Sequence, residues 1–180
     1  MNAIETNLMR YLETESLLNN FFKRFGYCAS MCIKPAVESS AAGSAEACCR
    51  KKYYKLYDLG HPAFDLLRQE RERLYGKPDD NRTGPDSPCE YHDPRTGCQL
   101  KTHKSPTCLA FLCPEAIAAL RNEYGIFAYD YLGVNYALEW ILTGDFPDPH
   151  FYAFRESILN MTKRVADNRL LKNPPKCSVS

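Results

Sequence analysis

Cys89, Cys98, Cys108 and Cys113 fall within 25 residues, in the run P-C-E-Y-H-D-P-R-T-G-C-Q-L-K-T-H-K-S-P-T-C-L-A-F-L-C-P. Thiolates are the donors of zinc sites and of iron–sulfur clusters. The prolines and glycine of this run, with Asp93 and Ser105, favour turns over regular structure. Such a segment has few apolar residues to bury, and a metal held by its thiolates would supply folding energy that a core cannot.

The remaining cysteines are Cys28 with Cys32, the pair Cys48-Cys49, and Cys177. The spacings are C-x3-C, CC, C-x8-C, C-x9-C and C-x4-C, and no C-x2-C knuckle of the zinc-finger kind occurs. Loops that bring one thiolate at a time suit an iron–sulfur cluster, whose irons point outward in different directions. The expected cofactor is therefore iron, most simply as an iron–sulfur cluster, with zinc as the alternative. The expected ligands are Cys28, Cys32, Cys48, Cys49, Cys89, Cys98, Cys108 and Cys113. A buried cysteine is otherwise a small core residue, a reading that suits Cys48 or Cys49 better than Cys89 or Cys98, which stand among prolines, glycine and charges. Arg50, Lys51 and Lys52, and likewise Lys101, His103 and Lys104, would favour thiolate over thiol or else are solvated surface. Among His61, His92 and His103, His92 lies three residues after Cys89. That spacing leaves open whether it is a ligand.

The elements that must position these residues read as helices. Ile4, Leu8, Tyr11, Leu12, Leu18, Phe21, Phe22 and Phe25 recur at helical spacing and predict an amphipathic helix from about 3 to 26. Cys28 and Cys32 would share a face if that helix continued, and Pro35 is expected to end it. Residues 36 to 47 read as a loop and 46 to 58 as a helix. His61-Pro62 breaks the chain before a helix to about Tyr75, and Gly76 to Pro88 reads as a loop. Helices are expected over 114–124, 126–142 and 149–170, with Pro114 opening the first. Their aromatic residues Phe127, Tyr129, Tyr131, Tyr136, Trp140, Phe151, Tyr152 and Phe154 read as core. No strand stands out. The expected fold is mostly α: a single helical domain over 1–180, with an irregular cysteine-rich metal-binding lobe at 28–114 and C-terminal helices at 115–170.

A length of 180 residues suits one domain. Hydrophobic content of 44%, charged content of 25% and a net charge of +1 are those of a soluble globular chain. No strong field points to nucleic acid or a membrane surface as partner. No apolar run approaches the roughly 18 residues of a membrane span. The early Glu5, Glu13 and Glu15 do not fit a secretory signal. A reduced, cytoplasmic setting is expected, where nine cysteines point to metal or redox chemistry rather than disulfides. Nine is odd, and Cys177, behind two prolines in a polar tail, is the expected bystander.

Cys48-Cys49-Arg50, Pro88-Cys89, Gly97-Cys98 with Leu100, and the closing set Ser105-Pro106, Cys108, Phe111 and Cys113 together resemble the bacterial cysteine-cluster proteins known as zinc- or iron-chelating domains. The resemblance covers about residues 28 to 114. It implies a metal centre built from the CC pair and the dispersed cysteines. The family's further cysteines just before the CC are replaced here by Ala42 and Ala45, and Cys28 and Cys32 are the residues that could stand in for them. Related clusters accompany flagellin lysine methylation enzymes, so the resemblance leaves an enzymatic role open. The chain contains no G-x-G-x-x-G, P-loop, H-E-x-x-H or G-x-S-x-G motif. The expected function is metal binding through clustered thiolates, with a protein partner not excluded. The alternatives are an enzyme or enzyme subunit using the metal, and an interaction module with a purely structural zinc.

Overall fold

The first helix, α1 (Ala3–Phe25), starts where the sequence places a cap. The Asn2 side chain accepts a hydrogen bond from the Glu5 N–H, and the Glu5 carboxylate accepts one from the Asn2 N–H. This reciprocal pair satisfies two donors that a helix start leaves open. Gly26 closes the helix at φ 67°, a left-handed conformation that glycine adopts without penalty. The computed structural model describes residues 2–39, 53–55, 60–78, 89–93 and 97–172 of the chain.

Past Gly26 the chain does not stop at Pro35. A π-helical turn (Cys28–Ile33) leads directly into α2 (Lys34–Ser39). The Lys34 N–H reaches back to the Ala29 carbonyl, the longer bond that defines such a turn. Pro35 is the second residue of α2, and its fixed φ is already helical. The expected loop from residue 36 is therefore helical through 39. The helix expected over 46–58 lies largely outside the described residues, and residues 53–55 are turn and bend.

Helix α3 (Pro62–Tyr75) is capped by His61, whose Nδ1 accepts from the Ala63 N–H. A short antiparallel pair, β1 (His92–Asp93) and β2 (Gly97–Cys98), follows with His92 opposite Cys98. No strand was expected there, because two residues a side leave no periodicity to read. Helix α4 (Pro106–Ala110), also unexpected, is a single capped turn. Helix α5 (Pro114–Tyr124) ends at Gly125, φ 63°. Helix α6 (Tyr131–Thr143) begins five residues later than the expected 126. The Asp130 carboxylate accepts from the Leu132 and Gly133 N–H groups and so fixes the start. Helix α7 (Asp148–Lys172) completes the chain's described part.

The core lies where α1 packs against α3, α6 and α7. Leu18, Phe21, Leu120, Leu138, Ile158 and Val165 are fully buried there. The fold is mostly helical, as expected, in a single domain. The C-terminal aromatic residues divide. Tyr129 and Phe151 are core, whereas Phe127, Tyr136, Trp140 and Tyr152 are more than half exposed. Tyr136 and Trp140 lie four residues apart on one face of α6, opposite the face that Leu138 and Ile141 bury. Among the described residues no helix is long and apolar enough to cross a membrane.

Candidate metal centre

Three of the expected ligands meet in a second, smaller cluster. Cys89 is buried with Tyr54, Tyr91 and Leu100, and Cys98, Cys108 and Tyr75 pack against that group. The three thiols come from separate stretches: the turn before β1, the end of β2, and α4. Each is held by local bonds. The His92 N–H bonds to the Cys89 carbonyl at 2.8 Å and closes the turn. The Cys98 thiol points at the Leu100 carbonyl, 3.9 Å away. The Cys108 N–H donates to Ser105 Oγ, the cap of α4, and that hydroxyl donates in turn to the Tyr53 carbonyl.

The connection from Cys98 to Cys108 is gripped from two sides. From α3, the Tyr75 hydroxyl accepts the N–H groups of Lys101 (3.1 Å) and Thr102 (2.9 Å). From α1, Tyr11 donates to the Lys104 carbonyl at 2.6 Å, and Glu15 accepts the N–H groups of His103 (2.8 Å) and Lys104 (3.1 Å). One turn further, Asn19 donates to the Lys101 carbonyl and accepts from Lys104 Nζ at 2.7 Å. Tyr11, Glu15 and Asn19 stand at four-residue intervals, one polar stripe of α1. His103, at φ 60°, is the one non-glycine residue with positive φ among those described, so these bonds hold a conformation that a side chain resists.

Arg71 of α3 is the charge at the heart of the lobe. It is 2% exposed, donates from Nη1 to the Tyr54 carbonyl at 2.9 Å, and lies 5.6 Å from the ring centres of both Tyr54 and Tyr91. No ion pair joins it to a carboxylate among the described residues. Burial pushes the Cys108 thiol up to about 12. The neighbouring Cys89 and Cys98 thiols raise it further, and Ser105 and Arg71 offset part of the effect. Burial thus favours the protonated form of the Cys108 thiol.

The other expected ligands fall elsewhere. Cys28 opens the π-helical turn and packs against the larger core, where burial raises the pKa of the Tyr129 hydroxyl and Cys28 adds to the rise. Cys113 precedes α5, hydrogen-bonds Glu115 and also packs against the larger core. Cys48, Cys49 and Cys177 lie outside the described residues, as does the side chain of Cys32. Among the described residues no three cysteine, histidine, aspartate or glutamate side chains already close on one point. The donor types nonetheless fit a thiophilic ion. Three thiols pack in one small cluster with Tyr54, Tyr91 and Leu100, and another side chain of the same lobe, His92, is 7% exposed with neither ring nitrogen bonded.

Arg71 and Glu15 were not singled out from the sequence, although a signal exists. Glu15 falls on the buried face of α1 between Tyr11 and Leu18, and Arg71 falls seven residues after Phe64 and four after Leu67 on that of α3. A charge at a core position of an amphipathic helix has a buried partner to serve. Compared with known proteins, the chain matches no family model, no curated protein and no solved structure.

Proposed function

We propose that this chain is a metal-binding protein that holds zinc or iron, an iron–sulfur cluster included, through clustered cysteine thiolates. The observation that carries the reading is the convergence of Cys89, Cys98 and Cys108, from three separate stretches, in one small packed cluster. The resemblance to zinc- and iron-chelating cysteine-cluster domains points the same way. So does a reducing cytoplasmic setting, which would keep the thiols free. When bound, the ion would supply the positive charge that turns these thiols into thiolates and would tie β1, β2 and α4 together. A pocket walled by tyrosines favours a closed, structural centre over an open catalytic one.

Metal analysis and an absorption spectrum of anaerobically purified protein test this. A broad band near about 400 nm accompanies an iron–sulfur cluster, and a colourless metal-loaded protein carries zinc. Cys98→Ser should lose one metal equivalent and open the segment up to Cys113 to protease, because the ion would tie β2 to α4. Full metal content with unchanged protease resistance in Cys98→Ser would defeat the proposal.

A further inference from the structure

We propose that the cavity between α7 and the connection from α5 to α6 binds a short peptide with free ends, its carboxylate on Arg164 and its ammonium on Glu156. None of the residues that line this cavity belongs to the thiol lobe, so peptide binding and metal binding can fail separately.

The cavity holds about 400 Å3, a volume within the range of small-molecule sites. One wall is residues 126–128, between the end of α5 and the cap of α6. The other is a stripe of α7, on which Glu156, Ser157, Asn160, Met161 and Arg164 recur at helical spacing. Phe127 is 71% exposed, although Ile126 and Tyr129 on either side of it are buried. Its ring and half-buried Met161 give the cavity apolar surface against which a peptide side chain can pack.

The polar groups of the cavity are unspent. Elsewhere on α7, Arg155 pairs with Glu13 and Asn168 donates to the Glu123 carbonyl at 2.7 Å. Glu156, Ser157, Asn160 and Arg164 make no side-chain hydrogen bond or ion pair among the described residues. Arg164 nonetheless has a defined place. A Cβ on Gly125 would stand 3.3 Å from Arg164 Nη2, so the guanidinium lies over the glycine that closes α5. The carbonyl end of a helix favours a cation there, and the planar fork stays open to a carboxylate.

The spacing of the two charges sets the ligand. Glu156 and Arg164 are eight residues apart on one helix, about 12 Å along its axis. An extended peptide advances about 3.3 Å per residue, so three residues hold their charged ends about 10 Å apart. The side chains span the difference. Such a peptide pairs both charges in one direction only, whereas a dicarboxylate would set an anion against Glu156. Between the ends, Ser157 and Asn160 can both donate to and accept from peptide groups. The N–H groups of Phe127 and Ala128 face no backbone carbonyl partner among the described residues and are further donors.

The test titrates the full chain with the tripeptide leucyl-leucyl-leucine and with its N-acetylated and C-amidated forms, by calorimetry and by NMR amide shifts. The free tripeptide should bind saturably and move the signals of residues 126–128 and 156–164. Blocking either end should weaken binding about 10- to 100-fold. Glu156→Gln should no longer distinguish the acetylated from the free amino end, yet should still distinguish the amidated carboxyl end. Arg164→Gln should do the reverse. A variant that merely loosened the fold would not give this crossed pattern. Phe127→Ala should weaken all three forms by the same factor. No saturable binding, indifference to both blocked ends, shifts confined to other residues or loss of the crossed pattern would each overturn the assignment and leave the metal reading untouched.

Discussion

The larger core and the thiol lobe are built on opposite principles. Around Leu18, Phe21, Leu138 and Ile158 almost every buried atom is carbon, and burial itself, at about 25 cal/mol per Å2 of apolar surface, holds the helices together. Among the described residues, the buried apolar residues of the lobe are Tyr54, Cys89, Tyr91 and Leu100. Its order comes from directional bonds made by Arg71, Tyr75, Ser105, Tyr11 and Glu15. Thr14 and Thr162 are buried polar residues of the helical core, and each hydroxyl simply donates to the carbonyl one turn back in its own helix. The other buried polar residues, Glu15, Arg71, His92, His103 and Ser105, all belong to the lobe or border it. The difference teaches that hydrophobic burial orders the helices, whereas directional polar bonds order the lobe.

The largest expected effect lies in the core. Phe21 is fully buried and stacks near Phe25 and Tyr129. Phe21→Ala should cost about 3–5 kcal/mol, measured by denaturant unfolding, and by the same amount with or without metal. A loss that shrinks when metal is added would mean that the two regions do not stabilise separately.

Glu15 links the two regions, and its effect depends on pH. Burial raises its pKa from 4.5 to about 7, and its bonds from the Lys104 and His103 N–H groups offset part of that. A carboxyl whose folded pKa lies above its unfolded value binds its proton more tightly in the folded state. Stability then falls as pH rises from about 4.5 to about 7, by about 3 kcal/mol in all, and levels off above. His103 acts in the opposite sense, since burial lowers its pKa, so the wild-type profile alone is a sum. The difference between wild type and Glu15→Gln isolates the carboxyl. That difference should vary with pH between 4.5 and 7, and a flat difference would remove Glu15 as a titrating link.

What could be read from the sequence follows the same division. Helices α1 and α3 carry apolar stripes and capping residues, α5 is bounded by Pro114 and Gly125, and the extents of these and of α7 agree with the spacing to within a few residues. The lobe offered only cysteines, prolines and turns. Its two-residue strands and the single turn of α4 are too short to leave a period. The convergence of Cys89, Cys98 and Cys108 depends on contacts 50 to 90 residues apart, such as Ser105 with Tyr53 and Glu15 with His103. Phe127, Tyr136, Trp140 and Tyr152 show the converse error, since apolar character alone does not say which side of a helix meets the core.

A smaller effect should come from Ser105. Its hydroxyl caps α4 and also donates to the Tyr53 carbonyl. Ser105→Ala removes the cap and strands a carbonyl, at a cost of about 1–2 kcal/mol. If the lobe is the separate unit described, hydrogen exchange should quicken around Cys98 and Cys108 and leave α6 and α7 unchanged. Quickening spread evenly over the chain would show one cooperative unit instead.

The smallest effect is expected at Cys113, and it draws the border between the regions. Cys113 is close to Cys108 in sequence, yet its thiol is half-buried, bonds Glu115 and packs on the larger core rather than in the lobe. Exchange of a thiol for a hydroxyl at such a position should change stability by less than about 1 kcal/mol. Cys113→Ser should therefore keep the metal that Cys98→Ser loses, under the same anaerobic metal analysis. The comparison of these two variants is sharper than either alone, because both remove one sulfur from the same stretch of chain. Should Cys113→Ser also release a metal equivalent, α5 would have to swing its first turn toward Cys108. The helical core would then be part of the centre and not only its support.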